Sequence, residues 1–169
     1  EIVRHFEAPI RGFCTHILND PAAGEDAAQE TFLKAYRTIR SFRGESSFSS
    51  WLFRIARNTC IDILRKQKRE STKAQRHSLY EEGRSEGSAS QRLEAQEQLS
   101  LLLQALSPVH REILLLREYH HMNYDEISSV LQCSIDAVKG RLKRARQEAQ
   151  EYLRHLHENE NVVQREETL

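Results

Sequence analysis

The chain has 169 residues, 38% of them hydrophobic and 30% charged, enough for one ordinary domain or two very small ones. Only three Pro and six Gly interrupt stretches rich in Leu, Ala, Arg, Glu and Gln, a composition typical of an all-helical protein. No apolar run approaches the roughly 20 residues of a membrane span, and no signal peptide opens the chain. The first residue is Glu1 rather than Met, so we expect a trimmed N-terminus. Three cysteines, far apart and odd in number, argue against a disulfide framework and for a reducing cytoplasm.

The net charge of zero hides two basic segments that stand among acidic ones. Residues 33–70 contain ten Lys or Arg against three Asp or Glu, and residues 134–147 contain five against one. Residues 1–32 and 148–169 are both net acidic. Two separated positive segments predict a chain that contacts a polyanion at two places.

Three helices are predicted in the first part of the chain. Apolar residues at helical spacing predict the first over 2–18, and the Asp20-Pro21 pair predicts the cap and first position of the second. The second helix runs to about Ile39, and a loop follows. Ser47 is then the predicted cap of a third helix with a wide apolar face, which ends in a basic run near Arg69.

The second part of the chain begins after a Ser-, Glu- and Gly-rich stretch, residues 70–92, which is typical of a flexible linker. A helical pattern then resumes, and Ser107-Pro108 predicts the start of the next helix. Asn123, with a Glu three residues later, predicts a capping box and a short helix. Ser134 is the predicted cap of a last long helix.

A short helix, a three-residue turn and a basic helix follow one another in residues 124–147, which is the pattern of a helix-turn-helix unit. The second helix of such a unit enters the major groove of DNA, while its cationic flanks hold phosphates. The alternative is a solvated basic helix in an ordinary bundle. The third helix combines cations with aromatic rings, which suit unpaired bases, although Trp51 is better explained as a core residue.

Two long motifs carry a family resemblance. The stretch FRGESSFSSWLFRIARNTCIDILRKQKR, preceded by EDAAQETFLKAYRTI, resembles conserved region 2 of bacterial sigma factors of the extracytoplasmic-function (ECF) group. The stretch LSPVHREILLLREYHHMNYDEISSVLQCSIDAVKGRLKRARQEAQEYL is similar to their region 4. The resemblance implies region 2 over residues 1–69, the linker over 70–92, region 4 over 93–155 and an acidic tail over 156–169. It implies an all-α fold of two small helical domains and no cofactor.

The resemblance also implies functions for individual positions. Four residues fall on the segment that binds the clamp helices of the largest polymerase subunit: Asp26, Gln29, Glu30 and Phe32. Eight fall on the loop and helix that capture and read the −10 element: Phe42, Arg43, Ser47, Phe48, Arg54, Asn58, Asp62 and Arg65. Six fall on the helix that enters the −35 major groove: Ser134, Asp136, Ala137, Lys139, Arg141 and Arg144. Further expected partners are the flap of the second-largest subunit, promoter DNA and an anti-sigma factor, and the expected location is the cytoplasm, without membrane insertion.

This sequence departs from the common family pattern at a few positions. Gly24 stands where Ala is commoner, Asp136-Ala137 replaces a frequent Gly-Thr, and Gly140 replaces a frequent Ser. The last two differences bear on the −35 sequence that is read. Two other classes of protein remain as alternatives: a helix-turn-helix activator that is not a sigma subunit, and a metal-dependent enzyme. The activator leaves residues 20–69 unexplained, and the His and Cys residues lack the spacing of known zinc motifs.

Overall fold

The structure, a computed structural model, describes residues 2–74 and 91–166. Within these residues it contains seven α-helices and no strand, so the prediction of an all-α fold is confirmed. The helices are α1 (Ile2–Leu18), α2 (Pro21–Thr38), α3 (Phe48–Ala74), α4 (Gln91–Ala105), α5 (Pro108–Leu114), α6 (Tyr124–Leu131) and α7 (Ile135–Glu166).

The first half of the molecule is a bundle of α1, α2 and α3 around an apolar core. Ile10 and Phe13 of α1 and Leu52 of α3 are completely buried there, and Trp51 is 6% exposed. Burying a side chain of this size stabilises the fold by about 1.5–3 kcal/mol. The prediction that Trp51 belongs to the core is therefore confirmed.

Local hydrogen bonds confirm four predicted helix starts. The Asp20 carboxylate accepts from the N–H groups two and three residues on, at 2.9 and 3.0 Å. The Ser47 hydroxyl accepts from the N–H three residues on at 3.1 Å, and the Ser134 hydroxyl does the same at 3.2 Å. Asn123 and Glu126 form the predicted capping box, with both N–H···O distances at 2.9 Å. Each cap satisfies amide donors that a helix start leaves unpaired.

The predicted cap at Ser107 differs, because its side chain makes no hydrogen bond within its own helix. Instead its N–H and hydroxyl both donate to the Glu148 carboxylate of α7, at 3.0 and 3.3 Å. His110 also contacts this carboxylate. Burial acts to raise the pKa of Glu148, but the hydrogen bonds from His110 and Ser107 outweigh it and lower the pKa. A side chain brought by tertiary packing thus caps α5, which no local pattern could predict.

A π-helical turn, Leu115–Tyr119, continues α5 and was not predicted. The N–H groups of His120 and Met122 donate to the carbonyls five and six residues earlier, at 2.9 and 3.0 Å, instead of four residues earlier as in an α-helix. Arg117 donates to the Met122 carbonyl at 2.7 Å and lies 5.0 Å from the centre of the Tyr124 ring. These contacts tie the turn to the start of α6, which leads into the helix-turn-helix unit.

Three helices extend beyond the bounds that the sequence predicts. Helix α3 continues through residues 70–74, and α4 already includes residues 91–92, so both ends of the predicted linker are helical. The rest of that linker lies outside the described residues. Helix α7 includes residues 156–166 of the predicted acidic tail. No Gly or Pro occurs between residue 141 and the end of the chain, so no helix-breaking residue stops α7.

The two halves of the described molecule pack against each other, an arrangement that the sequence did not predict. Helix α3 contacts α6, α1 contacts α5, and the buried apolar residues of both halves form one connected core. His120 packs against Phe13 and Phe53, with its ring centroid 5.9 and 4.6 Å from theirs. Burial, together with His16 and His121, lowers the pKa of His120 to about 4, so this ring is neutral at physiological pH. A neutral ring suits its position against two Phe side chains.

Candidate polymerase and nucleic-acid interfaces

The outer face of α2 carries most of the residues predicted to contact the polymerase. Asp26, Gln29 and Glu30 are exposed, and Glu30 pairs with Lys34 at 3.0 Å. Phe32 differs from them, because it is half-buried and packs against the core. Phe32 thus helps to pack α2 against the core, while the three polar residues face outward.

Two further exposed residues on this face of α2 were missed in the sequence. Leu33 is 57% exposed and Tyr36 is 82% exposed, although both are large apolar side chains. With Asp26 and Gln29 they repeat at intervals of three and four residues, so the four share one side of the helix. The pair lies outside the apolar stripe that α2 packs against the core. This second periodicity in α2 is the sequence signal that could have identified Leu33 and Tyr36 as surface residues.

The loop before α3 is built around an aromatic cluster. Phe42, Phe48 and Trp51 lie with their ring centroids 5.3–5.7 Å apart, so the two Phe side chains are half-buried rather than free. Gly44 has φ of +72°, a conformation that residues with a Cβ rarely adopt. Arg43 beside it is exposed. The loop is therefore an edge backed by aromatic rings, with the exposed cation Arg43 among its predicted site residues.

A polar strip runs along α3 behind this loop. Arg54 is half-buried, whereas Asn58, Asp62 and Arg65 are exposed, and they follow at helical spacing on one side of the helix. Asp62 and Arg65 lie 3.8 Å apart, with both side chains more than 60% exposed. Such a surface pair contributes little to stability, which leaves both groups available to a ligand. The structure thus brings the predicted −10 residues together in one continuous strip with the aromatic loop.

The first turns of α7 carry the residues predicted to enter the −35 groove. Gln132, with φ of +51°, ends α6 and turns the chain toward Ser134, which caps α7. Ser134, Asp136, Lys139 and Arg144 are exposed, and Ala137 is half-buried. Val138, Leu142 and Ala145 are buried against the rest of the domain, so the exposed residues occupy the outer side.

Arg141 lies apart from the other predicted −35 residues. It is half-buried on the flank of α7, and its charge acts to lower the pKa of the buried Glu112 carboxyl. Its positive charge is therefore near enough to favour the ionised form of this desolvated carboxyl. Of the predicted cations of α7, Lys139 and Arg144 face outward.

Glu112 has a second cationic neighbour, which comes from the other half of the molecule. Arg57 Nε of α3 donates to Glu112 Oε1 at 2.6 Å, and these side chains are only 22% and 11% exposed. Burial raises the pKa of Glu112, and the attraction of Arg57 and Arg141 opposes that rise without cancelling it. The sequence singles out Arg57 only as one of the cations on the polar face of α3. It does not relate Arg57 to Glu112, because nothing local connects residues 55 positions apart.

Within residues 2–74 and 91–166, no three His, Cys, Asp or Glu side chains come close enough together to hold a metal ion. None of the helices in these ranges is long and apolar enough to cross a membrane.

Comparison with protein families matches both halves of the chain. The description "Sigma-70 region 2" matches residues 2–70, and "Sigma-70, region 4" matches residues 96–148. The RNA polymerase sigma-H factor of Pseudomonas aeruginosa is 32% identical, with 86% of this chain and 81% of the relative covered. The ECF RNA polymerase sigma-E factor of Escherichia coli K12 is 34% identical, with 72% and 69% covered.

Two solved structures resemble the whole described molecule. The sigma factor RpoE of Bartonella quintana, in complex with the anti-sigma factor NepR, has a TM-score of 0.74 at 26% identity. The match covers 90% of this chain and 94% of that one. CnrH, in complex with the cytosolic domain of CnrY, has a TM-score of 0.68 at 25% identity and covers 91% and 86%.

Proposed function

This chain belongs to the ECF group of sigma-70 factors, which direct transcription initiation by RNA polymerase, and we propose that its two halves divide that work. The first half, about residues 1–69, binds core polymerase and the melted −10 element. The second half, about residues 93–155, binds the −35 duplex. The observation that carries this division is the presence of two separate surfaces, the aromatic-backed strip of α3 and the outer side of α7.

The −10 surface suits single-stranded DNA. A base that leaves the duplex loses a few kcal/mol of stacking, which aromatic contacts and hydrogen bonds must replace. The cluster of Phe42, Phe48 and Trp51 supplies rings beside the loop, and Asn58 supplies an amide that can both donate and accept. Arg43 and Arg65 are exposed cations that can hold the phosphates of the displaced strand.

The −35 surface suits duplex DNA. The start of α7 projects from the helix-turn-helix unit, and its first turns are exposed where base edges would lie. Lys139 and Arg144 supply cations on that outer side, and a guanidinium can contact guanine through two hydrogen bonds. Core enzyme would hold both halves at the promoter, which raises the effective concentration of the second for its site.

We further propose that this chain acts by binding alone, carries out no catalytic step and works in the cytoplasm, where polymerase meets the promoter. The acidic outer face of α2 is the candidate surface for the clamp helices, and the second half is the candidate ligand of the flap. An anti-sigma factor is a further candidate partner, because the structurally similar RpoE of Bartonella quintana was solved in complex with the anti-sigma factor NepR.

The direct test is run-off transcription with purified core polymerase over a genomic promoter pool. We expect transcripts that depend on this chain and that share a −10 and a −35 motif upstream of their start sites. A helix-turn-helix activator would instead stimulate polymerase that already carries another sigma factor, and would not copurify with core enzyme alone.

We predict that Asn58→Ala impairs promoter opening much more than polymerase binding. The lost amide hydrogen bonds to a base should cost about 1–3 kcal/mol, roughly tenfold in open complex formed. The measurements are permanganate reactivity of the −10 region and affinity for core enzyme. Gln67→Ala is the control, because Gln67 is also an exposed amide of α3 but lies nine residues on, on the opposite side of the helix. Equal loss in both assays would contradict a role in reading DNA.

We predict different effects for two arginines of α7. Arg144→Ala should weaken −35 binding by about 1–3 kcal/mol if it reads a base, with little change in thermal stability, because its side chain is exposed. Arg141→Ala should lower both the affinity for the −35 element and the thermal stability, because Glu112 then loses a cationic neighbour inside the second half. Lys143→Ala should act weakly and evenly across sequences, as the loss of a phosphate contact does. Binding to promoters with each −35 base varied, at two salt concentrations, and thermal melting distinguish these outcomes.

A further inference from the structure

The Arg57–Glu112 ion pair is the strongest polar link between the two halves. Its 2.6 Å distance and low exposure distinguish it from the other polar contacts across the junction. In the part of the chain that the structure describes, those include the hydrogen bond from Ser47 to Glu126 at 3.2 Å and a long one from Arg111 to the His16 carbonyl at 3.4 Å. The position of Arg57 is therefore set by an acidic group of the opposite half.

Arg57 also borders the surface assigned above to the melted strand. It lies directly before Asn58 and one turn after Arg54, on the edge of the polar strip of α3. A guanidinium at that edge is well suited to a DNA phosphate, which it can bind through two hydrogen bonds. In the packed arrangement the guanidinium is engaged by Glu112, and α6 lies against α3.

Burial of Glu112 at the junction of the halves opposes its ionisation. The pKa of Glu112 lies above its usual value, because the cost of burying the carboxylate exceeds the attraction of Arg57 and Arg141. If the halves separated, Glu112 would lose the burial that α3 gives it and would keep the attraction of Arg141, since both residues belong to the second half. Release of Arg57 therefore leaves Glu112 with a nearby positive charge.

We propose that Arg57 is a further contact to the melted promoter strand. Its ion pair with Glu112 prevents that contact while the two halves are packed together. DNA phosphate and Glu112 then compete for one guanidinium, so strand binding and packing of the halves oppose each other. This inference rests on the proposed function, because it assumes that the strip on α3 binds single-stranded DNA.

The test uses three variants of the full chain. Glu112→Gln removes the charge that holds Arg57, and Arg57→Ala removes the contested group. Glu118→Gln is the matched control: it alters the net charge equally and breaks the Glu118–Arg146 pair, 2.7 Å long, which lies within the second half. Binding of a mixed-sequence single-stranded DNA oligonucleotide is measured by fluorescence anisotropy over a range of salt concentrations.

The separation of the halves is measured in the same variants by energy transfer between two dyes. The dyes are attached through Ala22→Cys on α2 and Gln150→Cys on α7, both exposed positions, with Cys133→Ser to leave no partly exposed native thiol. Far-UV circular dichroism checks folding. If Glu112→Gln loses helix, Glu112→Asp replaces it, because the shorter side chain withdraws the carboxylate while keeping the charge.

We expect both Glu112→Gln and Arg57→Ala to increase the distance between the dyes. Only Glu112→Gln should tighten binding of the oligonucleotide, about fivefold, and with a steeper salt dependence than Arg57→Ala shows, since one more phosphate is neutralised. Glu118→Gln should match the unmodified chain in both measurements.

Three results would overturn the proposal. These are an unchanged distance in Glu112→Gln, equal tightening in Arg57→Ala and Glu112→Gln, and a Glu118→Gln control that behaves like Glu112→Gln. Run-off transcription with unmodified chain and core enzyme is scored separately. Its failure would refute the proposed function, whereas the binding and distance measurements on the free chain decide the inference about Arg57.

Discussion

Gly24→Ala should lower the free energy of unfolding by about 3 kcal/mol or more, a large effect for one added methyl group. Gly24 is buried in the first turns of α2, where that helix passes α1. A Cβ at this position would lie 2.6 Å from Thr15 Cα, 2.7 Å from Thr15 N and 2.3 Å from Thr15 Oγ1. Two of these three atoms are backbone and cannot rotate away, so the two helices would have to move apart.

The measurement is chemical or thermal unfolding followed by far-UV circular dichroism. Gly12→Ala is the matched control, because Gly12 is also in a helix but a Cβ there would meet no atom within 4 Å. That variant should be neutral or more stable by up to about 1 kcal/mol, since Ala favours helices more than Gly does. If the two variants unfold alike, α1 and α2 do not approach as closely as the structure has them.

Removal of the exposed apolar side chains of α2 should cause the largest loss of polymerase binding. We expect Leu33→Ala and Tyr36→Ala each to weaken affinity for core enzyme by about 2 kcal/mol, roughly thirtyfold. Both side chains are more than half exposed in the free chain, so their truncation leaves no cavity and should barely affect folding. Burial of such side chains under a partner is the usual source of binding energy at an interface.

Competition of each variant with labelled unmodified chain for core enzyme gives the affinity. Val3→Ala is the control, because Val3 is 52% exposed but lies on α1 rather than on the outer face of α2. Phe32→Ala should behave differently again, since this half-buried residue packs against the core and its loss should reduce stability first. Unaltered affinity in both α2 variants would place the polymerase surface elsewhere.

Much of the secondary structure follows from short-range signals. The helix starts at Asp20, Asn123 and Ser134 were predicted because a capping side chain binds amides only two or three residues away. The apolar faces were predicted for a similar reason, since a buried residue such as Leu52 repeats with its neighbours at helical spacing. Gly24 was visible only as a departure from the family pattern, and the approach of Thr15 supplies its physical reason.

Sequence by itself determined that this chain is all-α, has two basic helices and carries the motifs of the ECF sigma group. These properties depend on residue order along single helices, where hydrogen bonds and apolar periodicity are local. Tertiary structure alone decided that Glu148 rather than the Ser107 side chain caps α5, that the charge of Arg141 acts on buried Glu112, and that Arg57 pairs with Glu112. Each of these interactions joins residues that are distant in sequence, and it exists only because packing of the helices brings polar or charged groups near one another. Such interactions therefore produce no periodic pattern in the sequence from which they could be predicted.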